Sequence, residues 1–185
     1  MSLTRCPWAN SSQEMQNYHD HEWGVPLYDE QRLFEFLCLE GAQAGLSWQT
    51  ILKRRDNYRQ AFYDFQIDKV ANMTADDVEA LMQNTGIIRN RLKIKSVINN
   101  AKIWLKLSTT QSMVEVLWHF APKEIIIYTE HEAIPAFTEA SKQMSKWLKS
   151  QGFSFVGPTI CYAFMQATGM VNDHLRSCFT RSRSK

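Results

Sequence analysis

The 185-residue sequence predicts an all-α fold. Three observations carry that prediction. Apolar residues recur at helical spacing along most of the chain. Capping residues and glycines mark where those stretches start and stop. Only EIIIY at 124–128 resembles a strand, and the surrounding segment 121–136 reads as irregular.

Taken in order, residues 1–28 carry Trp8, Tyr18, Trp23 and Tyr28 beside Cys6, His19 and His21. They show neither helical nor strand periodicity, so something other than local burial must order them. Asp29 is suited to cap a helix through Leu33, Phe34 and Leu37. That helix enters LFEFLCLEGAQAGLSWQTIL (33–52), the stretch around which the chain is organised. Between Glu35 and Lys53 the only charged side chain is Glu40. A carboxylate in such apolar company is costly unless paired, hydrogen-bonded or protonated, and burial can move its pKa by about 3–5 units. Its position suggests an acid lining a pocket; the plainer alternative is an outward-facing residue on an amphipathic helix. Gly41 and Gly45 are expected in a tight corner, with Ser47 capping a second helix.

QTILKRRDNYRQAFYDF (49–65) continues at helical spacing, and 68–73 is at best a short helix. Thr74 to Asp77 has the form of a capped N-terminus, Val78, Leu81 and Met82 give the apolar face, and Asn84-Thr85-Gly86 ends it. A further helix from Arg91 runs through Ile94, Val97, Ile98, Ala101 and Leu105. The pattern at about 74–107 is therefore helix, short glycine hairpin, helix. From 138 to 150, Ala140, Met144, Trp147 and Leu148 form an amphipathic helix that Gly152 ends. Pro158 opens a last helix that is apolar almost all round and ended by Gly169, the expected centre of the core.

Composition narrows the class. The chain is 44% hydrophobic, 12% aromatic and 22% charged, which suits a folded protein. No run reaches the length of a membrane span and the N-terminus lacks a signal-peptide core, so the cytosol is the expected compartment. There the four cysteines are not expected to form structural disulfides. A net charge of +2 decides nothing about partners, but its distribution does. Residues 80–114 hold no acid, yet include Arg89, Arg91, Lys93, Lys95, Lys102 and Lys106; Arg176, Arg181, Arg183 and Lys185 form a second basic set at the end.

Three constellations could carry chemistry. His174 and Cys178, four apart, would face the same way on a helical turn and could share a metal with Cys6 and His19 from the other end of the chain. A tetrahedral zinc would order the aperiodic N-terminus; the alternative is a chance spacing with a free thiol, and His21 competes with His19. Next, the hairpin Thr85–Arg91 leads into a helix N-terminus whose N–H groups suit a phosphate, with Gly86, Arg89, Arg91 and Lys93 as DNA-binding candidates. A merely solvated basic face is the other possibility. Last, Glu40 with Trp8, Tyr18, Trp23 and Trp48 suits a flat cationic or electron-poor ring, although any one of these aromatics could be plain core.

Taken together, CPW at Cys6, YHDHEWGVP from Tyr18, the 33–52 stretch, GIIRNRLKIKSVINNA from Gly86 and GFSFVGPTICYAFMQATGMVNDHLRSC from Gly152 resemble the bacterial DNA-3-methyladenine glycosylase I family. The resemblance weakens only at 107–136 and in the tail. It implies a helix-hairpin-helix glycosylase fold in a single domain, with one lobe at about 29–120 and another made of 1–28 and about 137–185. It also implies a structural zinc joining the termini through Cys6, His19, His174 and Cys178, which selects His19 over His21. Carried over in the same way, Glu40 is the base-binding or catalytic acid, and Trp8, Tyr18, Trp23 and Trp48 are the stacking aromatics. Gly45 and Leu46 fall where the family wedges into DNA. Met15 stands where the family often has tyrosine, and Ala163 where it has serine. The family lacks the aspartate that related glycosylases use after the hairpin, and no acid stands there in this sequence either. The expected activity is hydrolytic release of 3-methyladenine from double-stranded DNA by a monomer, without lyase chemistry. A non-catalytic zinc-containing module for damaged DNA, or a thiol redox sensor built on Cys6 and Cys178, would be the alternatives.

Overall fold

The computed structural model describes residues 3–183; Lys185 of the C-terminal basic set lies outside the described residues. These residues form ten α-helices: α1 (Gln13–His21), α2 (Glu30–Gln43), α3 (Trp48–Leu52), α4 (Arg55–Ala61), α5 (Ile67–Ala71), α6 (Ala75–Gln83), α7 (Arg91–Ser108), α8 (Met113–Trp118), α9 (Glu139–Ser150) and α10 (Pro158–Ala167). Short 3-10 turns occur at Pro7–Ser11, Tyr63–Phe65 and Phe179–Arg183, and no strand occurs among the described residues.

The expected caps form. Asp29 accepts from the Arg32 N–H at 2.8 Å, and Ser47 from Thr50 at 3.2 Å. Thr74 and Asp77 form a reciprocal capping box at the start of α6. Two helices are absent from the sequence expectation. In α1, Ser12 caps the Met15 N–H, and Met15, Tyr18 and His19 are buried at i, i+3 and i+4. Its buried face is aromatic and polar where a periodicity argument looks for aliphatics. In α8, Ser112 accepts from the Glu115 N–H at 3.3 Å, burying Met113 and Leu117.

Gly41 also departs from expectation. It sits inside α2 instead of in the corner, where an added Cβ would lie 3.2 Å from the Cβ of Phe155. The corner itself is made by Gly45 at φ +77°. Helices α2 and α10 pack together at the centre, with α7 and α3 also against α2 and α9 against α10. Phe34, Leu37, Trp104, Met144, Phe164 and Met165 are fully buried there.

The N-terminal segment finishes α10. Its C-terminal carbonyls accept from Gly24 N (onto Gln166, 3.0 Å) and Leu27 N (onto Thr168, 3.0 Å). This close approach needs Gly169, at φ +72°, because a Cβ there would come within 2.4 Å of the backbone of Val25 and Pro26. Residues beyond α10 return to the N-terminus: Phe179 N donates to Thr4 O at 2.9 Å. Both chain ends therefore meet beside α1. Among the described residues, no helix is long and apolar enough to cross a membrane.

Candidate active site

A cavity of about 430 Å³ opens between α1, α2, α3, α10 and residues 134–136. Trp8, Tyr18, Trp23, Glu40 and Trp48 all line it, so the structure gathers the five residues that the sequence singled out as one group. Met15 and Ala163 line it too. The capped start of α1 fixes the phase that turns Met15 and Tyr18 to the cavity. Trp8 meets Trp23 edge-on at 5.0 Å between ring centroids and 76° between planes. Tyr18 and Trp48 lie at 5.3 Å and 42°. Such arrangements present ring faces and edges in fixed directions, which suits a flat, electron-poor guest.

Glu40 is buried near the end of α2. Its Oε2 has no hydrogen-bond partner among the described residues, and neither does Trp48 Nε1. Burial alone pushes the carboxyl pKa up from 4.5 to about 8. Burial, then the neighbouring Glu40, holds the Tyr18 hydroxyl well above its ordinary range. The pocket therefore favours a guest that brings positive charge and hydrogen-bond donors.

The α10 wall contains residues that sequence inspection missed. Tyr162 and Gln166, four apart on α10, face the cavity, and both donate to the buried carboxylate of Asp173, at 2.5 and 2.9 Å. Their signal was available: they are polar exceptions at helical spacing on an otherwise apolar helix.

The metal-ligand candidates lie behind this pocket. Cys6, His19 and Cys178 are buried, with their ligand atoms within 4.8 Å of one another. The expectation that His174 and Cys178 share a helical turn fails, since residues 170–178 are irregular. His174 nevertheless arrives, its ring centroid 4.9 Å from that of His19. The donor chemistry fits a cation. His174 Nδ1 bonds Asn172 Oδ1 at 2.8 Å, and its buried Nε2 has no hydrogen-bond partner among the described residues. Burial lowers its pKa to about 4, so that nitrogen carries a lone pair. His19 Nδ1 bonds Asp20 at 2.8 Å, whose carboxylate is gripped by Arg5, and its Nε2 lies 3.4 Å from Cys178 Sγ. Carboxylate–histidine support of this kind orients metal ligands. Hydrogen bonds from Cys6, His19 and Thr180 lower the Cys178 pKa, favouring the thiolate. His21 points away, with Nδ1 on Asn17 O.

Cluster and pocket share their wall. Trp23 meets His174 edge-on at 4.6 Å, and Trp8 meets His19 at 5.2 Å.

The basic hairpin divides in three. Arg89 is exposed. Arg91 is exposed but paired in two hydrogen bonds with Glu79 across the hairpin. Lys93 departs from the expected phosphate contact: it is buried, and its amine donates to Ala42 O at 2.8 Å and Ala44 O at 2.6 Å. Its charge is turned onto the end of α2. A Cβ at Gly86 would fit only tightly, 3.0 Å from Asn57 and from Asn84, and the Gly86 N–H donates to Asn84 Oδ1 at 2.8 Å. Beside the pocket, Leu46 follows Gly45 and is 40% exposed, a large apolar side chain held out at the corner.

The chain matches the methyladenine glycosylase family over residues 8–181. It is 47% identical to a DNA-3-methyladenine glycosylase of Haemophilus influenzae over 178 residues, 95% of this chain and 96% of that protein. Its fold superposes with a TM-score of 0.92 on a crystal structure of 3-methyladenine DNA glycosylase I, at 49% identity over 95% of this chain and 98% of that one. The Staphylococcus aureus 3-methyladenine DNA glycosylase I, solved to explain its 3-methyladenine recognition, gives 0.90 at 37% identity over 97% of both chains. Each match spans nearly the full length, and the family match takes in every residue that lines the cavity. The chain belongs to the methyladenine glycosylase family.

Proposed function

We propose that this protein is a monofunctional DNA glycosylase of base excision repair, which hydrolyses the N-glycosidic bond of 3-methyladenine in alkylated DNA and releases the free base. The observation that carries this reading is the buried, unpartnered carboxylate of Glu40 in an aromatic cavity with room for a base. Adenine methylated at N3 is a cation, so its bond to the sugar is already weak and the base departs neutral without being protonated. The protein's work reduces to extruding that base, holding it and refusing normal adenine. Extrusion costs a few kcal/mol, less for a damaged base.

Helices α6 and α7 with residues 84–90 act as a helix-hairpin-helix that holds the DNA backbone, Arg89 and Arg91 supplying charge. Leu46, held out by Gly45, fills the gap that the base leaves. The base enters between Trp8, Tyr18, Trp23 and Trp48, which favour a cation by roughly 0.5–2 kcal/mol. Glu40 meets its charge. Among the described residues, the cavity walls carry no lysine, and the nearby Lys93 amine is engaged by two carbonyls, so amine attack on the sugar has no candidate among them. Cys6, His19, His174 and Cys178 would hold zinc; when bound, the ion supplies a cross-link between the chain's two ends and no reaction chemistry.

The test is incubation of the protein with N-methylated duplex DNA, followed by chromatography of the released bases. Free 3-methyladenine should accumulate beyond the spontaneous rate. Tight DNA binding without release would sink the enzymatic reading.

A further inference from the structure

We infer that Lys93 is a positioning residue for base extrusion, fixing the corner that carries Leu46 to the DNA-gripping end of α7. The inference rests on the glycosylase reading above and assigns Lys93 a role other than phosphate binding.

Lys93 is the third residue of α7, capped by Asn90, whose side chain accepts from the N–H groups of Leu92 and Lys93. A cation there faces the positive pole of its own helix, the unfavourable end. It is also buried, which disfavours its charge and lowers its pKa. What compensates lies across the interface. The last carbonyls of a helix lack partners within it, and they form its negative pole. Lys93 Nζ donates to two of these on α2, Ala42 O at 2.8 Å and the cap residue Ala44 O at 2.6 Å. By contrast, the cap's own backbone bond, Ala44 N to Gly41 O, is long at 3.4 Å.

The two carbonyls flank Gln43, which lines the cavity, and begin two residues after Glu40. The chain then goes directly into Gly45 and exposed Leu46. A Cβ at Gly45 would meet nothing within 4 Å, so the corner has little packing of its own there. One amine thus joins three parts: the first turn of α7 beside the hairpin, the pocket floor and the corner. If Leu46 must fill the vacated stack while α7 is seated on the backbone, the distance between them has to be fixed. Lys93 spans it with two hydrogen bonds.

A variant without the amine should grip DNA normally and bind free base normally, yet extrude poorly. In Lys93→Met, single-turnover excision from a fully paired duplex should fall by roughly tenfold or more, the scale of a small misplacement of reacting groups. The deficit should shrink to about threefold or less when the lesion faces an abasic site, because less stacking and pairing must be broken. Free 3-methyladenine should bind within about twofold of wild type, with the salt slope for undamaged DNA unchanged. If Lys93→Met does not fold, Lys93→Arg carries the same readouts, since it keeps charge and donors but shifts the corner. A salt slope reduced by about 0.9 would instead make Lys93 a phosphate ligand. An equal deficit on paired and abasic-opposed substrates, or none at all, would also overturn the positioning role. Wild-type protein that releases no base would sink the glycosylase reading, a separate result.

Discussion

Glu40 destabilises the fold when ionised, and on the role proposed above that cost is tied to its use. Its pKa rises from 4.5 to about 8 through burial. Between those values the folded chain binds a proton that the unfolded chain has released, so stability falls as pH rises through this window and levels off above it. A tenfold change in proton affinity is worth about 1.4 kcal/mol, which makes the cost a few kcal/mol at pH 8. Glu40→Gln should therefore raise the melting temperature at pH 8 and leave it nearly unchanged at pH 4.5; equal changes at both would remove the buried charge as the cause. On the role proposed for Glu40, the same window governs recognition. A cationic ring draws the carboxyl into its ionised form and releases the proton. Excision by wild type should thus rise between about pH 6 and 8, by tenfold per pH unit at most, while Glu40→Gln gives a flatter and lower profile. Identical profiles would take the charge of Glu40 out of substrate selection. Glu40 stood out in the sequence because it is the only charge in a long apolar run. Lys93 stood out too, but as a phosphate contact, since a sequence shows a charge without its direction; its amine turns inward to carbonyls 49 and 51 positions away.

At the scale of elements, the periodic helices were readable and the aromatic one was not. Helices α2, α6, α7, α9 and α10 have marked starts, by cap or by proline, and aliphatic faces. α1 buries Met15, Tyr18 and His19, and is shaped by the pocket and by the Cys/His cluster that it separates. Its partners include His174 and Cys178 at the far end of the chain, which no local pattern encodes. The same distinction applies to the hairpin. Its charges were evident, but Arg91 is shared with Glu79 and Lys93 is withdrawn. Among the described residues, that leaves Arg89 as the hairpin's exposed charge without an ion-pair partner. Changing Arg89 and Arg91 together to Ala should weaken binding to damaged and undamaged duplexes alike, and reduce the salt slope by about 0.9 for each phosphate no longer neutralised. A slope unaltered in the double variant would reduce the hairpin to solvated surface.

For the molecule as a whole, the pocket and the termini are joined by shared packed rings. His19 and Cys178, 159 residues apart in sequence, lie side by side, and Leu175 N donates to Cys6 Sγ at 3.4 Å. The rings that pack on this cluster, Trp8 and Trp23, are the rings that wall the cavity. A metal holding Cys6, His19, His174 and Cys178 would close a very long loop, worth about 4–5 kcal/mol in the chain-entropy model for loops on the order of 100 residues. It would also fix where the two tryptophans stand. Protein as isolated should accordingly carry one zinc per chain. Cys178→Ser should lose the metal and melt at lower temperature. Stability alone does not separate a distant staple from a brace for the pocket, but the tryptophans do. If the cluster braces the wall, removing zinc with a chelator at a temperature where the fold persists should shift tryptophan emission and weaken free 3-methyladenine binding together. Restoring zinc should recover both. Loss of thermal stability with unaltered base affinity would confine the metal to holding the ends, and elemental analysis finding no zinc in the wild type would remove it altogether.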